Sequence, residues 1–362
     1  MKPLHTVGLD VGKSVFQVHG VDIESQPVLR RKLSRSQMFE FFENTPPCLV
    51  GIESTSGANH IARSLIGMGH TVRLMPASYV KAYVKTHKND ANDAEAICEA
   101  VQRPNMRFVP TKNVQQQAVL SLHRVRKLLI GQRVALSNSL RGILVEFGIV
   151  VPKRAIGISE AFQLIEDESC EMIPPIGRTA LRLLGEQYKT TGRRIERCTK
   201  QIESWHKKSP DSRRLGTVPG VGALAASALV ATVGDAQQFR SGREMAAWLG
   251  LVPLQKSSGG RQVLGRISKR GDSYLRGLLY MGAMSVLRGG DHSKHYVVRW
   301  AAGLAKRKSY RLASVALANK LARIAWAVLA KGENFREPTH QMSLRTAPVA
   351  RQKLLDPTKK RQ

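Results

Sequence analysis

Relative to its charge, this chain has few acidic residues: 27 Asp+Glu stand against 57 Lys+Arg in 362 residues, a formal net charge of +30. Cysteine is scarce too. Cys48, Cys98, Cys170 and Cys198 lie too far apart for CxxC pairs, which argues against structural zinc and for reduced, buried thiols of a cytoplasmic protein. No secretory leader is expected, because Asp10 stands where its apolar run would be. The apolar stretch 221–234, 14 residues, falls short of the ~20 that a membrane span needs. A GxxxxGK[ST] phosphate loop is missing, so triphosphate hydrolysis is not expected to drive the chemistry. Aromatics make up only 6%, yet 42% apolar residues suffice for real cores and exclude a disordered chain. A soluble, basic protein with no membrane partner is expected, and so large a positive excess attracts nucleic acid.

The pattern along the chain predicts four regions: an α/β domain over 1–110, a helical coiled-coil dimerisation region over 111–210, a mainly α domain over 211–336 and a basic flexible tail over 337–362. In the first, HTVGLDVG, SVFQVHGVD and PVLRRKL are β-rich runs joined by short turns. A helix follows (SRSQMFEFFENT, with Ser34 or Ser36 as N-cap), then strand CLVGIEST, helix NHIARSLIGMG, strand HTVRLMPA and helix DANDAEAICEAVQR. The order βββαβαβα is that of the ribonuclease-H-like (RuvC-like) fold.

Strand signals then stop. Ala118, Leu122, Val125, Leu129, Leu136, Leu140, Ile143 and Phe147 recur mostly at three or four residues. Leu184, Tyr188, Thr191, Ile195, Cys198, Ile202 and Trp205 hold a 4-3-4-3-4-3 spacing, a heptad seam that predicts a long helical pair mediating dimerisation; an ordinary bundle within one chain is the alternative. VVPKRAIG and MIPPIG interrupt the helices and predict an antiparallel hairpin. Beyond Leu215, VPGVG before a helix resembles a helix-hairpin-helix. A Gly/Ser/Arg loop, QKSSGGRQVLGR, precedes two further helices. Between Arg288 and Gln362 there are 17 Lys+Arg against 4 Asp+Glu, so the excess is concentrated towards the C-terminus. His292 and His295, three apart without a third ligand, are given no metal role.

A polyanion binder should keep acids away from its ligand, so acids at strand ends need a reason. Asp10 ends the apolar strand TVGLD and Glu53 ends CLVGIE. Asp90 and Asp93 share one face once helical. In the proposed fold the first and fourth strands are neighbours, which puts Asp10 beside Glu53, with the last helix carrying Asp90 or Asp93 across them. Hard oxygen donors without His or Cys suit Mg²⁺ or Mn²⁺. Two such ions can clamp the attacking and leaving oxygens of a phosphodiester.

With GLDVGKSVF, GIESTSG and NDANDAEAI in this order, and VPGVG, AAWLGLVP, SSGGR and GRISKRGDSYLR after them, the chain resembles the DEDD transposases of bacterial insertion sequences over roughly residues 4 to 335. The resemblance implies Asp10, Glu53, Asp90 and Asp93 as catalytic metal ligands and Ser258, directly before Gly259, as nucleophile. Ser257 stands one position earlier and is the alternative. The resemblance also implies donor and target DNA, a structured non-coding guide RNA from the element, dimers that pair into a tetramer, and a nucleoid-associated place in a bacterial cytoplasm. Arg261, Arg266, Lys269 and Arg270 are expected on phosphates, by charge neutralisation or backbone contact. A serine hydroxyl needs a base, cation or metal to attack. SSGG offers no neighbouring His, so metal assistance is expected. Two other functions fit parts of the pattern: a two-metal junction endonuclease without a serine intermediate, and a non-enzymatic packaging protein whose acids are structural.

Overall fold

The structure, a computed structural model, describes residues 3–84, 89–153, 155–256 and 263–337. It divides into two compact units. One comprises Met1–Ser212 with Ala226–Gln238, the other Arg213–Ala225 with the described residues from Phe239 onward. The predicted α/β and helical middle regions thus fall in one unit.

The first unit opens with β1 (Thr6–Val11), β2 (Val15–Val21), β3 (Pro27–Ser34), α1 (Arg35–Glu43), β4 (Leu49–Glu53), α2 (Ala58–Gly67), β5 (Thr71–Met75), a short α3 (Ala77–Val80) and α4 (Asp90–Val101). Apart from α3, this is the element order expected from the sequence. Ser34 caps α1 and forms a reciprocal box with Gln37. The five strands lie in the order β3-β2-β1-β4-β5. β2 is antiparallel to β1 and β3, while β4 is parallel to β1 and β5. The N-terminal region is therefore α/β with a mixed sheet. Val7, Leu9, Val50 and Ile52 pack into one core with Phe42 of α1 and Ile61 of α2.

Burial continues on the other face of β1, where Gly8 sits in register with Gly51 of β4. A Cβ on Gly8 would lie 2.1 Å from the carbonyl oxygen of Ala94, and one on Gly51 would lie 2.7 Å from Cβ of Val101. Two side-chain-free positions, side by side, let α4 rest directly on the sheet.

α5 (Val114–Glu146), α6 (Ala155–Glu166) and α7 (Pro175–Lys208) follow. α5 and α7 run antiparallel and pack along their lengths. Arg126 Nε donates to Thr199 Oγ1 over 2.8 Å, and the Arg133 guanidinium lies 4.6 Å from the Tyr188 ring. In α7 every position of the heptad seam is buried or half-buried, Thr191 and Ile202 fully. α6 was not expected, because its flanking Pro and Gly residues read as turns. It buries Ala161 and Ile165 with Leu140, Leu144 and Leu181. Buried Arg178 closes its C-terminal end by donating to the carbonyls of Leu164, Ile165 and Cys170.

Beyond α7 come α8 (Pro210–Gly216), α9 (Ala223–Val233), α10 (Gly242–Trp248), β6 (Pro253–Gln255), β7 (Leu264–Ile267), α11 (Ser273–Leu287), α12 (Tyr296–Ala305) and α13 (Tyr310–Lys331). With its 22 residues, α13 is long and apolar enough to cross a bilayer by length and composition. It instead buries Ala313, Leu317, Leu321 and Ala325 and packs on α10, α11 and α12, so it is the core helix of the second unit. The remaining region is mostly helical, as expected. The thiols differ from expectation in part: all four are free, Cys48 and Cys98 buried, Cys170 and Cys198 only half-buried.

Candidate active-site carboxylates and the serine hairpin

Asp10 and Glu53 lie partly buried near the ends of β1 and β4. Asn89 caps α4 by accepting from the Ala91 backbone N–H at 2.9 Å, which places Asp90 and Asp93 in its first turn. Carboxylates are favoured there by the helix dipole. Seating α4 on Gly8 and Gly51, each two residues before a carboxylate on the same strand face, brings this turn towards Asp10.

The effect is visible in the Asp10 carboxyl, which is pushed up to about 6 by burial first and then by the negative charges of Asp93, Asp90 and Glu53. A hydrogen bond from the Val11 backbone opposes the shift without cancelling it. Four acids drawn from three elements therefore share one electrostatic site inside a strongly basic chain. Their all-oxygen donor chemistry fits a hard divalent cation. Among the described residues, no three His, Cys, Asp or Glu side chains are gathered closely enough to hold an ion as they stand. Acids at strand ends point to this cluster from the sequence, whereas Gly8 and Gly51 were not singled out there. Their signal was present all the same, since a glycine inside an apolar strand marks close approach of another backbone.

In the second unit, β6 and β7 form an antiparallel hairpin with Pro253 opposite Ile267 and Gln255 opposite Leu264. Its last described link is the Lys256 N–H to the Val263 carbonyl, 2.9 Å. Ser257, Ser258 and Arg261 lie outside the described residues. Arg266 on β7, and Lys269 and Arg270 just beyond it, are exposed and form no ion pair among the described residues.

The hairpin's base is tightly built. Gly250 (φ +72) and Gly271 (φ +80) approach so closely that a Cβ on either would fall 2.0 Å from the Arg270 oxygen or 1.9 Å from the Trp248 oxygen. Arg276 Nη1 donates to the carbonyls of Leu249 (3.0 Å) and Arg270 (3.2 Å), fastening the two chain segments together. Asp272 caps α11 through the N–H groups of Tyr274 (2.7 Å) and Leu275 (3.1 Å). The linear sequence does not single out Arg276, which acts on backbone brought together by folding, whereas Asp272 is a local N-cap directly before its helix.

Comparison with known proteins accounts for both regions. Residues 7–149 match a family model of DEDD transposases of the IS110 type. Residues 212–298 match one described as the IS116/IS110/IS902 transposase family. A probable family 20 transposase of Pseudomonas aeruginosa is 48% identical over 92% of this chain and 99% of its own length. The transposase for insertion sequence element IS1328 of Yersinia enterocolitica is 38% identical over 91% of this chain and 98% of its own. The transposase for element IS1111A of Coxiella burnetii is 38% identical over 93% and 92%. The carboxylate region and the hairpin region thus each fall within a matched model, and the chain belongs to the IS116/IS110/IS902 family of transposases, enzymes that cleave and rejoin DNA.

Proposed function

We propose that this transposase is an RNA-guided recombinase with a ribonuclease-H-like N-terminal domain, which cleaves and rejoins DNA through a covalent phosphoserine. The observation that carries this reading is the electrostatic site around Asp10, four acids kept together in a chain of net charge +30. Asp10, Glu53, Asp90 and Asp93 would hold Mg²⁺ or Mn²⁺, which supplies Lewis-acid polarisation of a phosphate. Ser258 Oγ attacks phosphorus; the Oγ–P bond forms as the bond to a deoxyribose oxygen breaks, and that oxygen leaves as a hydroxyl. A hydroxyl of the second strand then attacks the phosphoserine, restoring the phosphodiester and the free serine. The number of ester bonds is conserved, so no triphosphate is consumed. Arg266, Lys269 and Arg270, with Arg261, neutralise phosphate charge around the serine.

In this reading the serine and the carboxylates, distant from each other in the sequence, form one composite site. The family resemblance supports assembly between protomers of a dimer or tetramer, and the exposed Val125, Leu128 and Val134 on α5 leave apolar surface for such an interface. The same resemblance supports a guide RNA supplied by the element.

The test is to trap protein–DNA adducts under denaturing conditions. Ser258→Ala removes them with folding intact; undiminished adducts sink the serine assignment, and loss only in Ser257→Ala moves it by one residue. Sequencing RNA that copurifies with the protein, expressed beside its flanking DNA, tests the guide.

A further inference from the structure

Between the end of α13 and the start of α12 lies a cavity of about 330 Å³, at the lower end of ligand-sized pockets. Its apolar wall includes Val297, Ile324, Val328 and the Phe335 ring; its polar wall includes Lys320, Lys331 and Arg336, against the single acid Glu333. Three cations and one acid give a site that prefers an anion.

Lys320 is the unusual member. Its ammonium stands 5.0 Å from the Tyr296 ring and 4.3 Å from the Trp300 ring, with no carboxylate partner among the described residues. Burial, followed by the charge of Arg323, lowers its pKa, which a counter-charge beside the ammonium would oppose. An anion would supply it.

The wall formed by residues 333–336 is fastened on both sides. Glu337 accepts from the Tyr296 backbone N–H at 3.2 Å and pairs with His295 Nδ1 at 2.7 Å. The Phe335 N–H donates to Thr217 Oγ1 at 2.9 Å. Phe335 is thereby held at the cavity wall, its ring steeply inclined to that of His295 with 6.5 Å between centroids.

The geometry points to a binding site for one nucleotide of a single strand, its base against Phe335 and Tyr296 and its phosphate on Lys320, Lys331 and Arg336. A duplex would not fit, because its base faces are stacked on one another and are not free to lie against an aromatic ring. Aromatic face plus cations is the way single-stranded nucleic acid is held without sequence readout. This inference rests on the reading that the chain handles nucleic acid, but it needs neither the serine nor the carboxylates.

The test uses decamers carrying 5-iodouridine or 5-iododeoxyuridine, irradiated on the full-length protein, with crosslinked peptides mapped by mass spectrometry. Adducts on Tyr296 or Phe335 are expected. Phe335→Leu, which keeps the apolar wall but removes the ring, should lower that crosslink about tenfold. Lys331→Gln with Arg336→Gln, both exposed, should lessen the salt dependence of decamer binding by about two contacts. The higher yield, from the RNA or the DNA decamer, assigns the strand. Crosslinks confined to other peptides, or an unchanged yield in Phe335→Leu, overturn the pocket while leaving serine adducts and metal-dependent cleavage as they were. Loss of the recombinase reading, conversely, would leave these crosslinks in place.

Discussion

The two regions to which the proposed function assigns the chemistry are built in opposite ways. Asp10 and Glu53 sit on a sheet covered on both faces and Asp90 and Asp93 on α4, seated on its bare glycines, and part of each Asp10 and Glu53 side chain is withdrawn from solvent. The serine hairpin has strands exposed at nearly every residue, and its order is concentrated at its base, where Gly250, Gly271 and Arg276 join chain to chain. One region holds charges that repel each other by embedding them in a stable scaffold. The other leaves its described strands exposed and is fastened at its base. Under the proposed function, the embedded acids suit a metal site and the exposed hairpin suits a segment that contacts DNA.

The comparison breaks most readily at Asp10. Asp10→Asn should reduce divalent-ion-dependent strand cleavage by about a thousandfold or more, measured on donor DNA. It should also stabilise the metal-free protein. Burial and the neighbouring acids raise the Asp10 carboxyl from 3.8 to about 6, so the fold favours the extra proton between those values. The stability contributed by its protonated form is present below about 3.8 and lost as pH rises through about 6. Removing the charge should therefore return stability at neutral pH, about 1 kcal/mol once solvent screening is discounted, read from thermal melts in EDTA. Normal cleavage in EDTA by the unaltered protein would show that the four acids are not a metal site.

Gly8→Ala tests the scaffold side alone. The added methyl meets the Ala94 carbonyl, so α4 must shift; a loss of about 1–3 kcal/mol in stability and a large fall in cleavage are expected, with serine adducts reduced in parallel. Wild-type stability in that variant would mean the helix does not rest on the sheet.

His123 sharpens the contrast by probing the same unit away from the acids. It is 2% exposed, its Nε2 lies 3.0 Å from Ser227 Oγ, and burial, with Arg126 nearby, lowers it from 6.5 to about 4. A histidine held neutral stabilises the fold above its unfolded value, and that stability drains away as pH falls from about 6.5 towards 4. Denaturant titrations should lose about 2–3 kcal/mol over this window, and His123→Gln should flatten the loss.

The smallest effect is expected at the hairpin root. Arg276→Lys keeps the charge but not the fork that reaches two carbonyls, so about 1–2 kcal/mol of stability should go. Adduct formation should fall severalfold while divalent-ion binding to the carboxylates stays unchanged. A parallel fall in ion binding would erase the distinction between the two regions.

The sequence made the scaffold largely legible because periodicity follows burial. Strands ending in Asp10 and Glu53, a helix opening at Asp90, and the heptad seam of α7 all follow from spacing. What could not be read this way depends on contacts across the fold. α6 was hidden between Pro- and Gly-rich flanks, and Arg276 serves carbonyls 27 and 6 residues away. The cage of Tyr296 and Trp300 around Lys320 joins two helices whose spacing shows only ordinary core patterning. Heptad spacing also did not say which surface the seam would cover; in this fold it covers a helix of the same chain.

The paired glycines under α4 carry one further consequence, for how such a site can change. Any substitution at Gly8 or Gly51 adds atoms where there is no room, so the floor is fixed. The distance between the carboxylates can then be adjusted only in the side chains, by exchanging aspartate for glutamate one methylene at a time. A collection of Asp/Glu exchanges at positions 10, 53, 90 and 93, scored for Mg²⁺ against Mn²⁺, would trace how narrow that remaining freedom is.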